Sequence, residues 1–119
     1  MTTTADDTDA ITLTELQPTV ARLLDRHLAA SREWMPHMYV PCSSASDYDG
    51  PLDGLPWRAE QSTLPEPVGD ALIVNLLTED NLPSYHFELA TRVGRDGAWG
   101  TWLHRWTAEE GRHGDALRA

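Results

Sequence analysis

The sequence has few of the features that mark exported or membrane-bound proteins. It contains one cysteine, Cys42, which excludes a disulfide within the chain and suggests a reducing compartment. Its longest apolar run falls within residues 71–77 and is far too short to cross a bilayer. Residues 1–10 lack the basic and apolar regions of a signal peptide. The sequence therefore predicts a cytoplasmic protein without a membrane span.

Positive charge is also scarce. The sequence has nine basic and 19 acidic residues. The resulting formal net charge of −10 argues against nucleic acid and anionic membrane surfaces as partners. The chain has 119 residues, of which 40% are hydrophobic and five are Trp, as is typical of one globular domain with a modest core. We expect a disordered acidic tail at residues 1–13 and a domain at residues 14–119.

A long helix is predicted first. Thr14 and Gln17 form a capping-box pattern, and apolar residues recur at helical spacing over residues 15–34. His27 lies on or beside that apolar stripe, where we expect a hydrogen-bonded histidine at the core edge, with a ligand role as the alternative. The following segment, residues 36–67, holds six of the eight prolines and has no helical periodicity, so it predicts a long irregular connection.

A second helix is predicted over residues 71–91, with Asp70 as its N-terminal cap. Its first half is apolar nearly all round, which is typical of a helix buried on most sides. Glu79 falls on this helix and is expected to point inward, either as a metal ligand or as a carboxylate that is protonated or paired with Arg. Pro83 is expected to kink the helix just beyond Glu79 and to free a backbone carbonyl near it.

The last helix, over residues 99–117, organises the candidate site. One stripe with spacings of three and four residues runs along it, and this stripe comprises Trp99, Leu103, Trp106, Glu110, His113 and Leu117. A Glu and a His three residues apart on a core-facing stripe are the pair from which di-iron sites in helical bundles are built. The alternative is a solvated Glu-x-x-His face or a local hydrogen bond.

The turn between the last two predicted helices places two carboxylates at one level. Residues 94–97 (GRDG) form a tight turn, so the flanking helices are antiparallel neighbours. Glu79 lies 15 residues before the first glycine of this turn, and Glu110 lies 13 residues after the last. At about 1.5 Å per residue, both are roughly 20 Å from the turn. Glu79, Glu110 and His113 are thus predicted to meet as half of a di-iron carboxylate site.

Three segments carry a resemblance to a known family. They read SREWMPHMYVPCSS, TEDNLPSYH and RWTAEEGRHGD. From about residue 15 onward, the sequence resembles the N-terminal half of the soluble acyl-[acyl-carrier-protein] desaturases, closest to the actinobacterial type. The resemblance implies an all-α, ferritin-like di-iron helical bundle. The bundle is expected here in incomplete form, as about three long helices with a proline-rich irregular connection.

The same resemblance implies the family's chemistry. A di-iron centre, O₂ and reduced ferredoxin introduce a cis double bond into a fatty acyl chain bound to acyl-carrier protein. Glu79 matches a ligand of one iron, Glu110 the carboxylate that bridges both irons, and His113 the imidazole ligand. Trp34 matches an aromatic residue on a proposed electron path. The implied partners are acyl-carrier protein, a ferredoxin-type electron donor and a second copy in a homodimer.

The set of ligands is incomplete in this sequence. The family site needs a second Glu and a second Glu-x-x-His, and the 119 residues contain a single Glu-x-x-His. Half of the expected ligands are therefore present. Either the chain is part of a desaturase, or two copies pair to complete a site. The alternative function is a non-catalytic helical fragment that acts at most as an interaction module through its Trp-rich face.

Overall fold

The structure, a computed structural model, describes residues 5–49, 51 and 54–119, without the side chains of Ala5, Asp6 and Cys42. Its helices are α1 (Ala5–Ala30), α2 (Glu66–Asp80), α3 (Leu82–Val93) and α4 (Gly97–Arg118). Three short 3₁₀ helices lie between α1 and α2, at Pro36–Met38, Cys42–Ser44 and Ala59–Gln61. The predicted all-α class is thus confirmed for the described residues, and those that lie between α1 and α2 include no α-helix.

The described chain divides into two compact units. The first unit contains the residues up to Glu33 together with Leu82–Glu109, and thus α1, α3 and most of α4. The second unit contains the residues from Trp34 to Asn81 together with Glu110–Ala119, and thus the connection, α2 and the end of α4. Among the described helices, α4 alone contributes to both units.

α1 begins earlier than the sequence predicts. The expected cap, Thr14, lies inside the helix, and its hydroxyl donates to the Ala10 carbonyl at 2.8 Å. The predicted tail is therefore helical from residue 5 onward, whereas residues 1–4 lie outside the described part. A tertiary contact holds the helix ahead of Thr14, because Trp99 on α4 donates its indole N–H to the Leu13 carbonyl at 2.9 Å.

α2 also starts before its predicted cap. It begins at Glu66, so Asp70 lies within the helix and does not cap it. Glu66 and Pro67 occupy the first turn. The helix dipole favours the negative charge of Glu66 there, and the missing N–H of Pro67 costs nothing because N–H groups of the first turn have no partner within the helix. Proline is rare inside helices, which is why the sequence pattern places Pro67 in the connection.

A break at Asn81 divides the predicted second helix into α2 and α3. Pro83 has no N–H, so it leaves the Glu79 carbonyl without its usual helical donor. The backbone N–H of Asn81 donates to this carbonyl and to that of Thr78 instead. The break thus lies where the kink was expected, and the Glu79 carbonyl faces the Asn81 N–H, which also donates to the Thr78 carbonyl at 3.2 Å.

The core of the first unit lies between α1, α3 and α4. Leu24, Ala90 and Leu103 contribute one buried side chain from each of these helices, and Leu103 is fully buried. The turn between α3 and α4 has its two glycines at positive φ, +80° at Gly94 and +62° at Gly97. A tight turn of this kind needs glycine at such positions, and the predicted turn is confirmed.

α2 is more exposed than its composition predicts. Ile73, Val74 and Leu77 are 59%, 60% and 64% exposed, and none of the helix's described residues is buried. Its apolar residues lie nearly all round the helix, and the described part of the second unit covers only some of them. The prediction of a helix enclosed on most sides is therefore wrong. No helix in the described part of the chain is both long and apolar enough to cross a membrane.

A polar cluster joins α1 to α4 in the first unit. Glu109 accepts a hydrogen bond from Arg105 at 2.8 Å and pairs with His27 Nε2 at 3.0 Å. The hydrogen bond with His27, together with the Arg105 side chain, lowers the pKa of Glu109 against the opposing effect of burial. His27 thus takes the role expected from the sequence, that of a hydrogen-bonded histidine beside the core.

The Glu109 carboxylate should make the stability of the first unit depend on pH. Because its pKa in the folded state lies below the ordinary 4.5, its contribution is complete above that value and is lost as the pH falls through the folded-state pKa. We expect Glu109→Gln to lower the free energy of unfolding at neutral pH by about 1 kcal/mol or less. The variant should also flatten the pH dependence below about pH 5, as measured by urea unfolding. An unchanged acid slope would contradict this assignment.

Leu103→Ala should destabilise the first unit strongly. Truncation of this fully buried leucine leaves a cavity, which costs about 2–5 kcal/mol in free energy of unfolding. The matched control is Leu77→Ala, because Leu77 is 64% exposed and its truncation should change stability by about 0.5 kcal/mol or less. Urea unfolding followed by circular dichroism compares the two variants. Similar losses in both would show that the core lies elsewhere.

Candidate metal centre

Three side chains that the sequence singles out come together in the second unit. Glu79 belongs to the last turn of α2, and Glu110 and His113 lie about one turn apart on α4. One potential ligand atom from each of them lies within 4.8 Å of the other two. Among the described residues, no other group of three or more His, Cys, Asp and Glu side chains is so arranged. These three residues are called the carboxylate group below.

His113 contacts one carboxylate and approaches the other. Its Nδ1 atom is 2.8 Å from Glu110 Oε2 and 4.0 Å from Glu79 Oε2. The contact with Glu110 is the local hydrogen bond that the sequence allows as an alternative to metal binding. The hydrogen bond and metal binding would use the same two atoms. A cation bound by His113 Nδ1 and Glu110 Oε2 would take the place of the hydrogen that these atoms share.

The carboxylate group is partly open to solvent. The side chains of Glu79, Glu110 and His113 are 25%, 27% and 46% exposed. The predicted inward stripe of α4 is therefore buried at Leu103, half-buried at Glu110 and exposed at His113. The open side leaves room for water or another exogenous ligand, as catalytic metal centres require.

α4 approaches α2 closely at Gly114. A Cβ atom added there would lie 3.6 Å from the Cβ of Glu79, which is an ordinary van der Waals contact. A methyl group therefore fits at this position, whereas a larger side chain would meet Glu79. The close approach lies beside the three candidate ligands.

Trp34 packs on the imidazole of His113. The two rings are stacked, with centroids 6.1 Å apart and planes inclined by 17°. The guanidinium of Arg112 lies 5.9 Å from the Trp34 ring centroid, at a cation–π distance, and Tyr39 meets the same ring edge-on at 5.8 Å. These contacts hold Trp34 in place, and Trp34 in turn restricts the orientation of His113.

An ion pair that the sequence does not indicate supports the same region. Arg118, in the last turn of α4, pairs with Asp80, which follows Glu79 at the end of α2. The two residues are far apart in sequence and share no periodic pattern, so only the packing of the helices reveals the pair.

The donor set fits half of a di-iron centre. Two carboxylates and one imidazole, from a Glu and a Glu-x-x-His, are what two of the four helices supply in such bundles. Ligands of these types bind transition metals at about 2.0–2.2 Å, which places neighbouring ligand atoms roughly 3 Å apart. The ligand atoms here lie within 4.8 Å of one another, so modest side-chain rotations bring them to a shared ion.

Comparisons with known proteins point to one family. A model of the family described as fatty acid desaturase matches residues 8–119. A Mycobacterium tuberculosis protein named as acyl-[acyl-carrier-protein] desaturase DesA1 is 51% identical over 111 residues, or 93% of this chain and 32% of that protein. DesA2 of the same species is 43% identical over 110 residues, which are 92% of this chain and 39% of that protein. The chloroplastic stearoyl-[acyl-carrier-protein] 9-desaturase of Spinacia oleracea is 34% identical over 91 residues, which are 71% of this chain and 22% of that protein.

A solved structure shares the fold. The chain is similar to the X-ray structure of the acyl-ACP desaturase DesA2 from M. tuberculosis H37Rv, with a TM-score of 0.68 and 37% sequence identity. The match covers 89% of this chain and 37% of that one. It confirms the predicted ferritin-like helical class. The chain spans between 22% and 39% of the length of the three curated relatives described above.

Substitutions at Gly114 test the contact between α4 and α2. We expect Gly114→Leu to lower the free energy of unfolding by about 1–3 kcal/mol, because atoms beyond Cβ would meet Glu79. Gly69→Leu is the matched control, because nothing lies within 4 Å of a Cβ at that position of α2. Replacement of a helical glycine there should stabilise the protein by up to about 1 kcal/mol. Equal effects of the two substitutions in urea unfolding would argue against the contact.

Proposed function

Because the chain belongs to the fatty acid desaturase family, we propose that it contributes half of the di-iron centre of an acyl-[acyl-carrier-protein] desaturase. The observation that carries the proposal is the carboxylate group, whose ligand atoms lie within 4.8 Å of one another on α2 and α4. The names of the relatives support the reaction class, because each describes an acyl-ACP desaturase. The proposed substrate is therefore a fatty acyl chain carried by acyl-carrier protein.

In this proposal each residue of the carboxylate group has its own role. Glu79 would hold one iron, Glu110 would be the carboxylate shared by both irons, and His113 would supply an imidazole ligand. When bound, the iron would supply the dioxygen chemistry that removes two hydrogens from the acyl chain and leaves a cis double bond. The two carboxylates offset the positive charge of the ions, and the solvent-exposed side of the group leaves coordination positions open.

We propose that Trp34 orients His113 and lies on the path by which electrons reach the centre. The stacked arrangement of the two rings, with centroids 6.1 Å apart, supports both roles. Arg112 and Tyr39 keep the indole in that position. The electron donor in this proposal is a ferredoxin-type protein, and the desaturase acts in the cytoplasm as a homodimer.

The proposal leaves a second half of the ligand set to be supplied. A di-iron centre of this kind needs another Glu and another Glu-x-x-His, and the 119 residues contain a single Glu-x-x-His. Either further residues of a longer chain or a second copy of this chain provide them. A second copy predicts two irons per dimer, both lost in Glu110→Ala.

Anaerobic loading with Fe(II) tests the proposed ligands. We expect the chain to bind iron, and we expect Glu110→Gln and His113→Ala each to weaken binding at least about tenfold, because each removes one ligand. Glu88→Gln is the matched control, since the side chain of Glu88 is 65% exposed on α3 and lies outside the group. Iron per chain is measured after size exclusion, and oligomer mass by sedimentation. Unchanged binding in Glu110→Gln and His113→Ala would refute the assignment.

A second candidate function is a non-catalytic helical interaction module. The apolar face of α2 favours it, because Ile73, Val74 and Leu77 are exposed to more than half their extent. The Trp-rich face of α4 supports it less, since its indoles are half-buried and line a groove against α1 in the first unit. A folded chain that binds no Fe(II) would favour this module over the di-iron centre.

A further inference from the structure

Two imidazoles face each other on neighbouring helices of the first unit. His86 lies on α3 and His104 on α4, with ring centroids 6.1 Å apart and planes inclined by 37°. Neither residue belongs to the carboxylate group, and the proposed function uses neither of them. His86 is half-buried and His104 is exposed, so the pair lies at the edge of the packed unit.

The hydrogen bonds around His86 determine which of its nitrogens carries the proton. Thr107 donates its hydroxyl to the Leu103 carbonyl at 2.8 Å, so its oxygen has no proton left to donate. The Nδ1 atom of His86 lies 2.8 Å from the same oxygen, and we assign it as the donor of this hydrogen bond. The neutral imidazole of His86 thus carries its proton on Nδ1 and its lone pair on Nε2.

This arrangement is typical of a metal-binding histidine. Ligand imidazoles bind through one nitrogen and donate the other N–H to an oxygen, which fixes both the tautomer and the orientation of the ring. A zinc ion bound by two imidazole nitrogens at about 2.0–2.1 Å holds the ring centres roughly 5–6 Å apart. The observed 6.1 Å lies close to this range, and the exposed side chain of His104 has room to turn toward His86.

We propose that His86 and His104 form a second metal site, for a divalent transition-metal ion of the zinc type. Imidazole ligands without a carboxylate suit Zn²⁺, Cu²⁺ or Ni²⁺ better than hard ions that prefer oxygen. The exposure of His104 leaves the remaining coordination positions to water. The site shares no residue with the carboxylate group, so it stands or fails independently of the proposed di-iron centre.

Calorimetric titration with Zn²⁺ in the Glu110→Ala variant tests the site. That substitution removes one of the three residues of the carboxylate group, and the heat that is then lost when His86 or His104 is also substituted reports the imidazole pair. We expect one Zn²⁺ per chain and at least about tenfold weaker binding when His86→Ala or His104→Ala is added. His37→Ala is the matched control, because His37 lies exposed on the 3₁₀ helix Pro36–Met38. Unchanged affinity in His104→Ala, which removes an exposed side chain and keeps the fold, would overturn the proposal.

The Thr107 hydroxyl provides a test of the tautomer itself. Thr107→Val removes the acceptor for His86 and should weaken zinc binding about 10- to 100-fold, whereas Thr107→Ser keeps the hydroxyl and should preserve it. Long-range ¹H–¹⁵N NMR should show His86 protonated on Nδ1 in the metal-free protein and a shift of its Nε2 resonance on addition of Zn²⁺. A proton on Nε2, or equal affinities of the two Thr107 variants, would falsify the proposed site.

Discussion

Two carboxylates and one imidazole meet at one point of the second unit. Glu79 and Glu110 bring two carboxylates within reach of a single imidazole, in a chain whose formal net charge is already −10. Like charges this close repel, and water at the open side of the group relieves the repulsion only in part. A bound cation would compensate both carboxylates and join α2 to α4. The proposed function therefore depends on electrostatics more than on the packing of apolar side chains.

α4 shows how one periodic pattern serves two purposes. Near its start, Leu103 is fully buried and Trp99 bonds to α1, whereas near its end Glu110 and His113 meet the end of α2. Because a helix repeats every 3.6 residues, side chains three and four positions apart share one face whatever their chemistry. A change of residue type along that face, from apolar to ligating, turns a packing surface into a candidate binding surface.

The two proposed metal sites differ in ligand chemistry but follow one rule. Carboxylates dominate the first, which suits iron, and imidazoles alone form the second, which suits an ion of the zinc type. In each site a neighbour orients an imidazole. Trp34 stacks on His113, and the Thr107 hydroxyl accepts a hydrogen bond from Nδ1–H of His86. These supporting contacts restrict each ring before any ion binds, which lowers the entropy lost on binding.

The residue pattern alone predicted the all-α class, the glycine turn after α3 and the register that brings Glu79 level with Glu110. Helical periodicity and a short turn leave few possible arrangements of these segments. The pattern missed the true starts of α1 and α2, and it predicted a kink at Pro83 where the structure has a full break, since the ends of helices depend on bonds to distant residues and on proline positions that allow two outcomes. It also missed the exposure of α2 and the His86–His104 pair. Burial and pairing depend on which faces meet, and only packing in three dimensions decides that.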